Sequence, residues 1–292
     1  MDFKQKFEPK GKRVIHGAGQ SPEQFRKYWG AVGKNKPAVY MTYIRVKEIK
    51  NKFSININEM LKFSKGLIPQ IGLNLKVKNE GSKCLEVSKG EYDNELRVLC
   101  KILKKLKNPV FLRIGYEFNN PTHNYNPKEF ILAWKHIVKL FRKNKVDNVA
   151  FVWCCCSAFN RNIDEIMSYY PGNDLFGVQH FKDNKNKVTE DFCREAEKHR
   201  KPLMICESSA AKVGVLEGEK SWNGWFKPYF TWIKCHEVVK AFCYINWNWG
   251  IDWKQPEWGN CRIEENEIVK KNYARELNNP IYLHYESIKE LK

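Results

Sequence analysis

Eight apolar runs, each rich in β-branched and aromatic residues, recur along the 292-residue chain. None alternates apolar and polar residues as a strand with one face in water does, and continuous apolar strands are typical of a parallel sheet buried on both faces. The sequence therefore predicts eight parallel strands. They are predicted at residues 13–19, 38–44, 67–73, 110–118, 149–156, 175–181, 202–209 and 241–249.

Helix-like segments separate these runs. Segments 21–32 and 126–144 each begin with a capping residue, Ser21 or Asn126, followed by proline at the first helical position. Further helices are predicted at 94–107, 161–174, 189–200 and 222–237. Nothing marks a strand-order reversal or a glycine-rich phosphate turn, so the alternation predicts an α/β fold, a single (β/α)8 TIM barrel, rather than an open sheet.

The length agrees with that fold, because such barrels typically need about 250 residues. We expect one catalytic domain over residues 1–292, with a short basic N-terminal tail over about residues 1–12.

The chain carries 51 Lys and Arg against 33 Asp and Glu, a net charge of +18. Much of the excess lies in lysine-rich helical runs such as 101–107, which coat outer faces. No basic run is interleaved with aromatics, so nucleic-acid binding is not favoured, and an acidic polymer stays open as an alternative.

The ten cysteines are interpreted as small buried hydrophobes, because three are consecutive (154–156) and others, such as Cys206 and Cys243, lie in strand-like runs. With no C-x-x-C pair and no allowed glycosylation sequon, a reducing compartment is favoured. The N-terminus has no apolar signal-peptide region, so a cytoplasmic location is expected for the chain as given, and a secreted one if a leader was removed. No run approaches the roughly 18 apolar residues that a membrane span requires.

One predicted strand ends on a carboxylate. Residues 112–119 read LRIGYEFN, so Glu117 closes an apolar run. Strand alternation predicts Arg113, Gly115 and Glu117 on one face. Active sites of such barrels lie where the strands end at the C-terminal face, so Glu117 is predicted to tip over the barrel opening.

A second carboxylate ends the seventh run, where alternation predicts Leu203, Ile205 and Glu207 on one face. Two facing carboxylates suit glycoside hydrolysis. One, protonated, donates to the leaving oxygen, and the other, ionised, attacks the anomeric carbon or activates water. The alternative is that each glutamate only pairs with a lysine or arginine at a strand end.

The order of these motifs resembles glycoside hydrolase family 26 and its relatives in the clan of retaining (β/α)8 glycosidases. The resemblance runs over most of the chain, from residues 16–21 to the helix at 262–269. The segments that carry it are 108–139, 148–153, 169–174, 201–209 and 241–249.

The resemblance implies a role for each of four residues. Glu117 would be the general acid/base and Glu207 the nucleophile. Arg113 would lie beneath them and keep Glu207 ionised by charge and hydrogen bonding. His180 takes the place of an aromatic donor to the nucleophile, where tyrosine is commoner.

Two departures bear on the substrate. Mannanases of the family usually carry histidine before the acid/base, whereas this chain has Tyr116, which predicts a different contact with the sugar 2-hydroxyl. The family's Pro-Gly-Asp is replaced by residues 171–174, Pro-Gly-Asn-Asp, which shifts the carboxylate by one residue.

Aromatic residues at strand ends complete the predicted site, because sugar faces stack on indoles while polar neighbours take the hydroxyls. Core packing is the alternative for each of them, and a structural role is the alternative for His16. Trp253 and Trp258 lie in the loop after the eighth strand. The predicted substrate-binding residues are His16, Arg113, Tyr116, Trp153, His180, Trp247 and Trp249.

Three functions therefore stand at this point. The first is a retaining endo-β-glycosidase acting on a β-1,4-mannan-like polysaccharide, with β-1,3-xylan or a β-glucan as the alternative substrate. The second is a carbohydrate-binding barrel with little turnover, and the third is a polyanion binder. We expect an oligo- or polysaccharide partner, a monomer, no membrane association and no cofactor. The remaining histidines lack metal-like spacing, so no metal is expected.

Overall fold

Eight parallel strands close into a barrel in the computed structural model, which describes residues 2–159, 162–172, 175–179 and 187–291. Each strand pairs with the next along the chain, and the eighth pairs with the first, which closes the sheet. The predicted (β/α)8 barrel is confirmed. The strands are β1 Val14–Gly19, β2 Val39–Arg45, β3 Ile68–Asn74, β4 Val110–Ile114, β5 Val149–Cys156, β6 Leu175–Gln179, β7 Leu203–Ser208 and β8 Val239–Ile245.

Helices connect the strands and cover the outer wall. The caps predicted for the first and fifth helices are present, since the Ser21 hydroxyl accepts from the Gln24 amide and the Asn126 side chain accepts from the Lys128 and Glu129 amides. A π-helical segment, Trp222–Phe226, leads directly into the helix that begins at Lys227. The helices are α1 Pro22–Ala31, α2 Ile49–Phe63, α3 Cys84–Ser88, α4 Asp93–Leu106, α5 Pro127–Lys143, α6 Ile163–Met167, α7 Lys187–Lys198, α8 Glu219–Ser221, α9 Lys227–Cys235, α10 Trp249–Asp252 and α11 Glu267–Glu276.

Three predicted elements differ in length from the observed ones. β4 and β8 stop at Ile114 and Ile245, about four residues before their apolar runs end, and the helix predicted over 161–174 covers only α6. The apolar residues beyond β4 and β8 are nevertheless buried, Phe118 in a turn and Trp249 at the start of α10, because burial does not require strand geometry. Residues 161, 173, 174, 180 and 181 of the predicted elements lie outside the described part of the chain.

The cysteines behave as small apolar side chains. All ten are free and nine are buried, with Cys235 exposed. Burial raises the pKa of Cys84 and Cys100 to about 12 and that of Cys261 to about 11, so these groups stay protonated thiols. Across the described residues, no helix is long and apolar enough to span a membrane.

Candidate active site

A β-bulge positions Glu207. In the pairing of β7 with β8, Ile205 and Ser208 sit opposite Phe242 and Tyr244, so two residues of β7 oppose one residue of β8. Such a bulge inserts an extra residue and re-aims the side chains beside it. The simple alternation expected for Leu203, Ile205 and Glu207 is therefore wrong, because the register slips just before the carboxylate.

Glu207 takes part in a buried ion pair. Arg113 Nη1 donates to Glu207 Oε1 at 2.7 Å, and the two residues are 0% and 4% exposed. The guanidinium also lies 5.0 Å from the Tyr43 ring centroid and 5.2 Å from that of Tyr116. Buried interactions of this kind are stronger than those at the surface, so Arg113 is held firmly against the carboxylate.

The two tyrosines that flank Arg113 remain neutral phenols. Burial, followed by the negative charge of Glu207, raises the pKa of Tyr43 well above its ordinary value. Burial likewise raises the pKa of Tyr116 to about 12, and its hydroxyl accepts from Asn74 Nδ2 at 3.3 Å. Both hydroxyls therefore keep their protons and remain hydrogen-bond donors at neutral pH.

A left-handed turn positions Glu117. After β4 ends, Gly115 has φ 54° and Glu117 has φ 51°. A Cβ at Gly115 would lie 2.6 Å from Phe130 Cε2, so this position faces the helix layer. The expectation that Gly115 and Glu117 continue the strand face of Arg113 is therefore wrong. A non-glycine residue at positive φ is uncommon, and such strain concentrates at functional sites.

The loop after Glu117 is anchored by two asparagines that the sequence reasoning missed. Asn120 Nδ2 donates to Glu117 Oε2 at 3.0 Å, so this carboxylate has a neutral amide donor. Asn119, 1% exposed, joins the loop to β5 because its Nδ2 donates to the Cys156 carbonyl at 2.9 Å and its Oδ1 accepts from the Cys156 amide at 2.7 Å. The signal available in the sequence was the Asn-Asn pair directly after Phe118.

The two carboxylates thus lie at the C-terminal ends of β4 and β7 in different surroundings. Glu207 has a buried cationic partner, whereas Glu117, 8% exposed, receives a hydrogen bond from a neutral amide. The two carboxyl groups therefore have different partners, as the two different roles in glycoside hydrolysis require.

Arg113→Met is expected to lower the free energy of unfolding by about 3–5 kcal/mol, because Glu207 would stay buried without its cation. Urea unfolding of the variant measures this loss. The double variant Arg113→Met/Glu207→Gln should recover a large part of it, since the uncompensated charge is gone. An exposed control, Lys101→Met, should change stability little. A double variant as unstable as Arg113→Met would show that the ion pair does not cause the effect.

The fold does not place His16 beside Glu117 and Glu207. Its ring is fully buried, its Nε2 lies 2.6 Å from the Tyr28 hydroxyl, and its Nδ1 lies 3.1 Å from Nδ1 of His284. It also stacks on Phe242 at 5.2 Å. These contacts belong to the layer between barrel wall and helices, so the side chain is structural and does not fit the predicted sugar contact.

The stability of the fold is expected to fall at mildly acidic pH through His16. Burial, then the neighbouring His284, lowers the pKa of His16 well below its ordinary value. The unfolded chain therefore binds a proton on this histidine near pH 6.5, whereas the folded chain does not. The free energy of unfolding is thus highest above that pH and decreases as the pH falls below it. His16→Gln should flatten the fall in unfolding free energy between about pH 7 and 5, by up to about 1.4 kcal/mol per pH unit. An unchanged slope would exclude His16 as the cause.

Trp153 does not lie beside Glu117 and Glu207 either. It is 0% exposed and stacks on Phe118 at 4.6 Å with an interplanar angle of 7°. Its ring also contacts Phe176 and Phe192 on the helix side of the wall. The predicted sugar contact does not fit this position, and core packing explains the residue.

Trp247 and Trp249 form an aromatic cluster after β8. Trp247 packs on Trp253 at 5.7 Å, and Trp249 packs edge-on against Trp258 at 4.7 Å. Trp249 Nε1 donates to the Ser209 hydroxyl at 3.0 Å, which ties the cluster to the end of β7, two residues beyond Glu207. Within this cluster only Trp253 has a largely exposed indole ring, at 62% exposure.

Three residues singled out in the sequence, His180, Asn173 and Asp174, lie outside the described residues.

The fold and site define a (β/α)8 barrel with two nearly buried glutamates at the C-terminal ends of β4 and β7. No protein-family model matches the chain. A β-1,3-xylanase from Alcaligenes sp is 24% identical over 315 residues, covering 94% of this chain and 65% of that protein. A second β-1,3-xylanase, from Vibrio sp, is 23% identical and covers 93% of this chain and 66% of that protein. The chain thus spans just under two thirds of the length of both relatives.

Solved structures with the same fold include two β-mannanases of glycoside hydrolase family 26. The enzyme from Bacteroides ovatus superposes with a TM-score of 0.67 at 13% identity and covers 94% of this chain and 88% of that one. The catalytic domain of an endo-β-1,4-mannanase from Bacillus sp. JAMB-750 gives a TM-score of 0.69 at 14% identity, with the same coverage. The resemblance to family 26 and its relatives is confirmed.

Proposed function

We propose that this protein is a retaining endo-β-glycosidase that hydrolyses a β-linked polysaccharide by double displacement. Glu207 attacks the anomeric carbon and Glu117 protonates the leaving oxygen. Glu117 then takes a proton from the water that releases the glycosyl-enzyme intermediate. The observation that carries the proposal is the buried Arg113–Glu207 ion pair at 2.7 Å, which supplies an ionised nucleophile at the end of a barrel strand.

A binding barrel without turnover fits this observation less well. Burying a charged pair has a desolvation cost, and a protein that only binds sugar would gain nothing from it.

β-1,3-xylan is the substrate we favour, ahead of β-1,4-mannan. The two β-1,3-xylanases match 94% and 93% of this chain at 24% and 23% identity, whereas the solved mannanases share 13% and 14% of their residues with it. Tyr116, where family mannanases carry histidine, supports the same order, because contacts to a single sugar hydroxyl separate such substrates. β-1,4-Mannan is the second candidate, since the fold is that of the mannanases.

A reducing-sugar assay over β-1,3-xylan, β-1,4-mannan, β-1,4-xylan and β-1,3-glucan tests the assignment. We expect release of oligosaccharides from β-1,3-xylan first, and release that disappears in Glu207→Ala. Faster release from mannan would reverse the order of substrates. Binding without release from any of these polymers, by a correctly folded chain, would reject the glycosidase in favour of the binding barrel.

A further inference from the structure

A hollow of about 560 Å³ opens on the outer wall of the barrel beside α5. α6, the helix that follows β5, has only five residues, and the hollow is lined mainly by α5, with one residue of β5. We call this feature the basic hollow. It is lined by Trp134, Lys135, Val138, Lys139, Arg142, Phe151, Pro171, Gly172 and Lys201.

The basic hollow lies at the opposite end of the barrel from the carboxylates. Phe151 is the third residue of β5, Pro171 and Gly172 precede β6, and Lys201 precedes β7, so its lining belongs to the N-terminal ends of strands. Glu117 and Glu207 follow or end their strands at the C-terminal face. A molecule in the hollow would therefore not compete with one held over the carboxylates.

Four cations converge on this hollow, and no acidic partner of theirs lies in the part of the chain that the structure describes. Lys135, Lys139 and Arg142 follow one another at helical spacings of four and three, so they share a face of α5, and all three are exposed. Among the described residues none of the four forms an ion pair, and Lys201 Nζ donates to the neutral Gln5 side chain at 3.0 Å. Like charges at this spacing repel, and a bound anion would relieve that repulsion.

We propose that the basic hollow binds an anionic saccharide, a short stretch of sulfated or carboxylated glycan. The planar fork of Arg142 suits sulfate or carboxylate oxygens, and the lysines add point charges around it. Val138, which is partly exposed, supplies an apolar contact for the C–H face of a sugar ring. The volume falls within the roughly 300–1,000 Å³ of small-molecule sites.

Nucleic acid fits the basic hollow less well. Single strands are held by aromatic rings on which bases stack, and the two rings here, Trp134 and Phe151, are only 1% and 7% exposed. The glycan site is separate from the proposed hydrolysis, and binding there does not require turnover. An acidic polysaccharide bound in the basic hollow would hold the protein close to neutral polysaccharide substrates that occur together with it.

Calorimetric titration with a heparin-derived sulfated tetrasaccharide tests the site. At about 50 mM salt we expect Lys139→Glu/Arg142→Glu to bind it about tenfold or more weakly than the parent chain, because two charged contacts are reversed. The matched control is Lys101→Glu/Lys105→Glu on the exposed face of α4. It changes the net charge by the same amount as Lys139→Glu/Arg142→Glu and should alter the affinity less than about twofold. Lys135→Gln/Lys201→Gln, a milder change, should weaken binding as well.

The same titration has outcomes that would overturn the proposal. Equal losses in the two charge-reversed variants would mean that general attraction, not the hollow, holds the ligand. Inorganic sulfate bound as tightly as the tetrasaccharide would reduce the site to a simple anion site. Single-stranded RNA bound more tightly, and lost in the same variant, would assign the hollow to nucleic acid. Tetragalacturonate in place of the sulfated probe decides between carboxylate and sulfate, and tight binding of either one supports an acidic glycan.

Discussion

Glu207→Ala is expected to abolish hydrolysis of every substrate, with kcat lowered by roughly 10⁴-fold or more, because the proposed nucleophile is removed. Because Arg113 would keep its buried charge and lose its partner, the variant is also expected to lose stability. Initial rates on polysaccharide and on activated aryl glycosides, measured well below the unfolding temperature, separate the chemical defect from the folding defect.

Two controls sharpen this test. Glu207→Gln keeps the shape of the side chain and should be as inactive as the alanine variant, since an amide is not a nucleophile here. Glu265→Ala removes an exposed carboxylate from the segment between β8 and α11 and should retain full activity. Substantial turnover by Glu207→Gln on either class of substrate would exclude Glu207 as the nucleophile.

Glu117→Ala is expected to separate the substrates by leaving group. Hydrolysis of polysaccharide should fall by about 10²–10⁴-fold, because the departing sugar oxygen needs a proton. Aryl glycosides with acidic phenols need little protonation and should still form the intermediate. Rates plotted against the pKa of the leaving phenol should therefore show a much steeper dependence in the variant than in the parent enzyme.

Azide provides the matching control for Glu117→Ala. Once the carboxylate is removed, the small anion can enter and attack the intermediate without help from a base, so added azide should raise turnover of activated substrates. Glycosyl azide with the configuration of the substrate is the expected product. If azide gave no rescue and Glu117→Ala and Glu207→Ala had the same substrate dependence, the two roles assigned here would be wrong.

The sequence predicted the barrel well because its strongest signal, eight continuous apolar runs, is the one that a buried parallel sheet imposes. The strand ends were predicted less well. Alternation has a period of two, and one extra residue reverses every direction beyond it. The bulge at Cys206 and Glu207 and the left-handed turn at Gly115 and Glu117 are such local changes, and no pattern in the chain marks them.

Site membership was predicted unevenly for a related reason. Glu117 and Glu207 could be proposed because carboxylates at the ends of apolar strands are rare, whereas the role of Arg113 came from the family resemblance. His16 and Trp153 could not be separated from true site residues, since an aromatic or histidine side chain at a strand end can face either the opening or the helices. The contacts of His16 with Tyr28 and of Trp153 with Phe118 decide the question, and both need the fold.

The configuration of the first product tests the central claim most directly. Retaining enzymes hold their two carboxyl groups about 5 to 5.5 Å apart, whereas inverting enzymes leave room for a water between them. Proton NMR of the reducing ends released in the first minutes, before mutarotation, distinguishes the two. Assigning nucleophilic attack to Glu207 predicts that the β-anomer appears first and the α-anomer grows in afterwards. An α-anomer at the outset would show inversion and would contradict the double displacement proposed for Glu117 and Glu207.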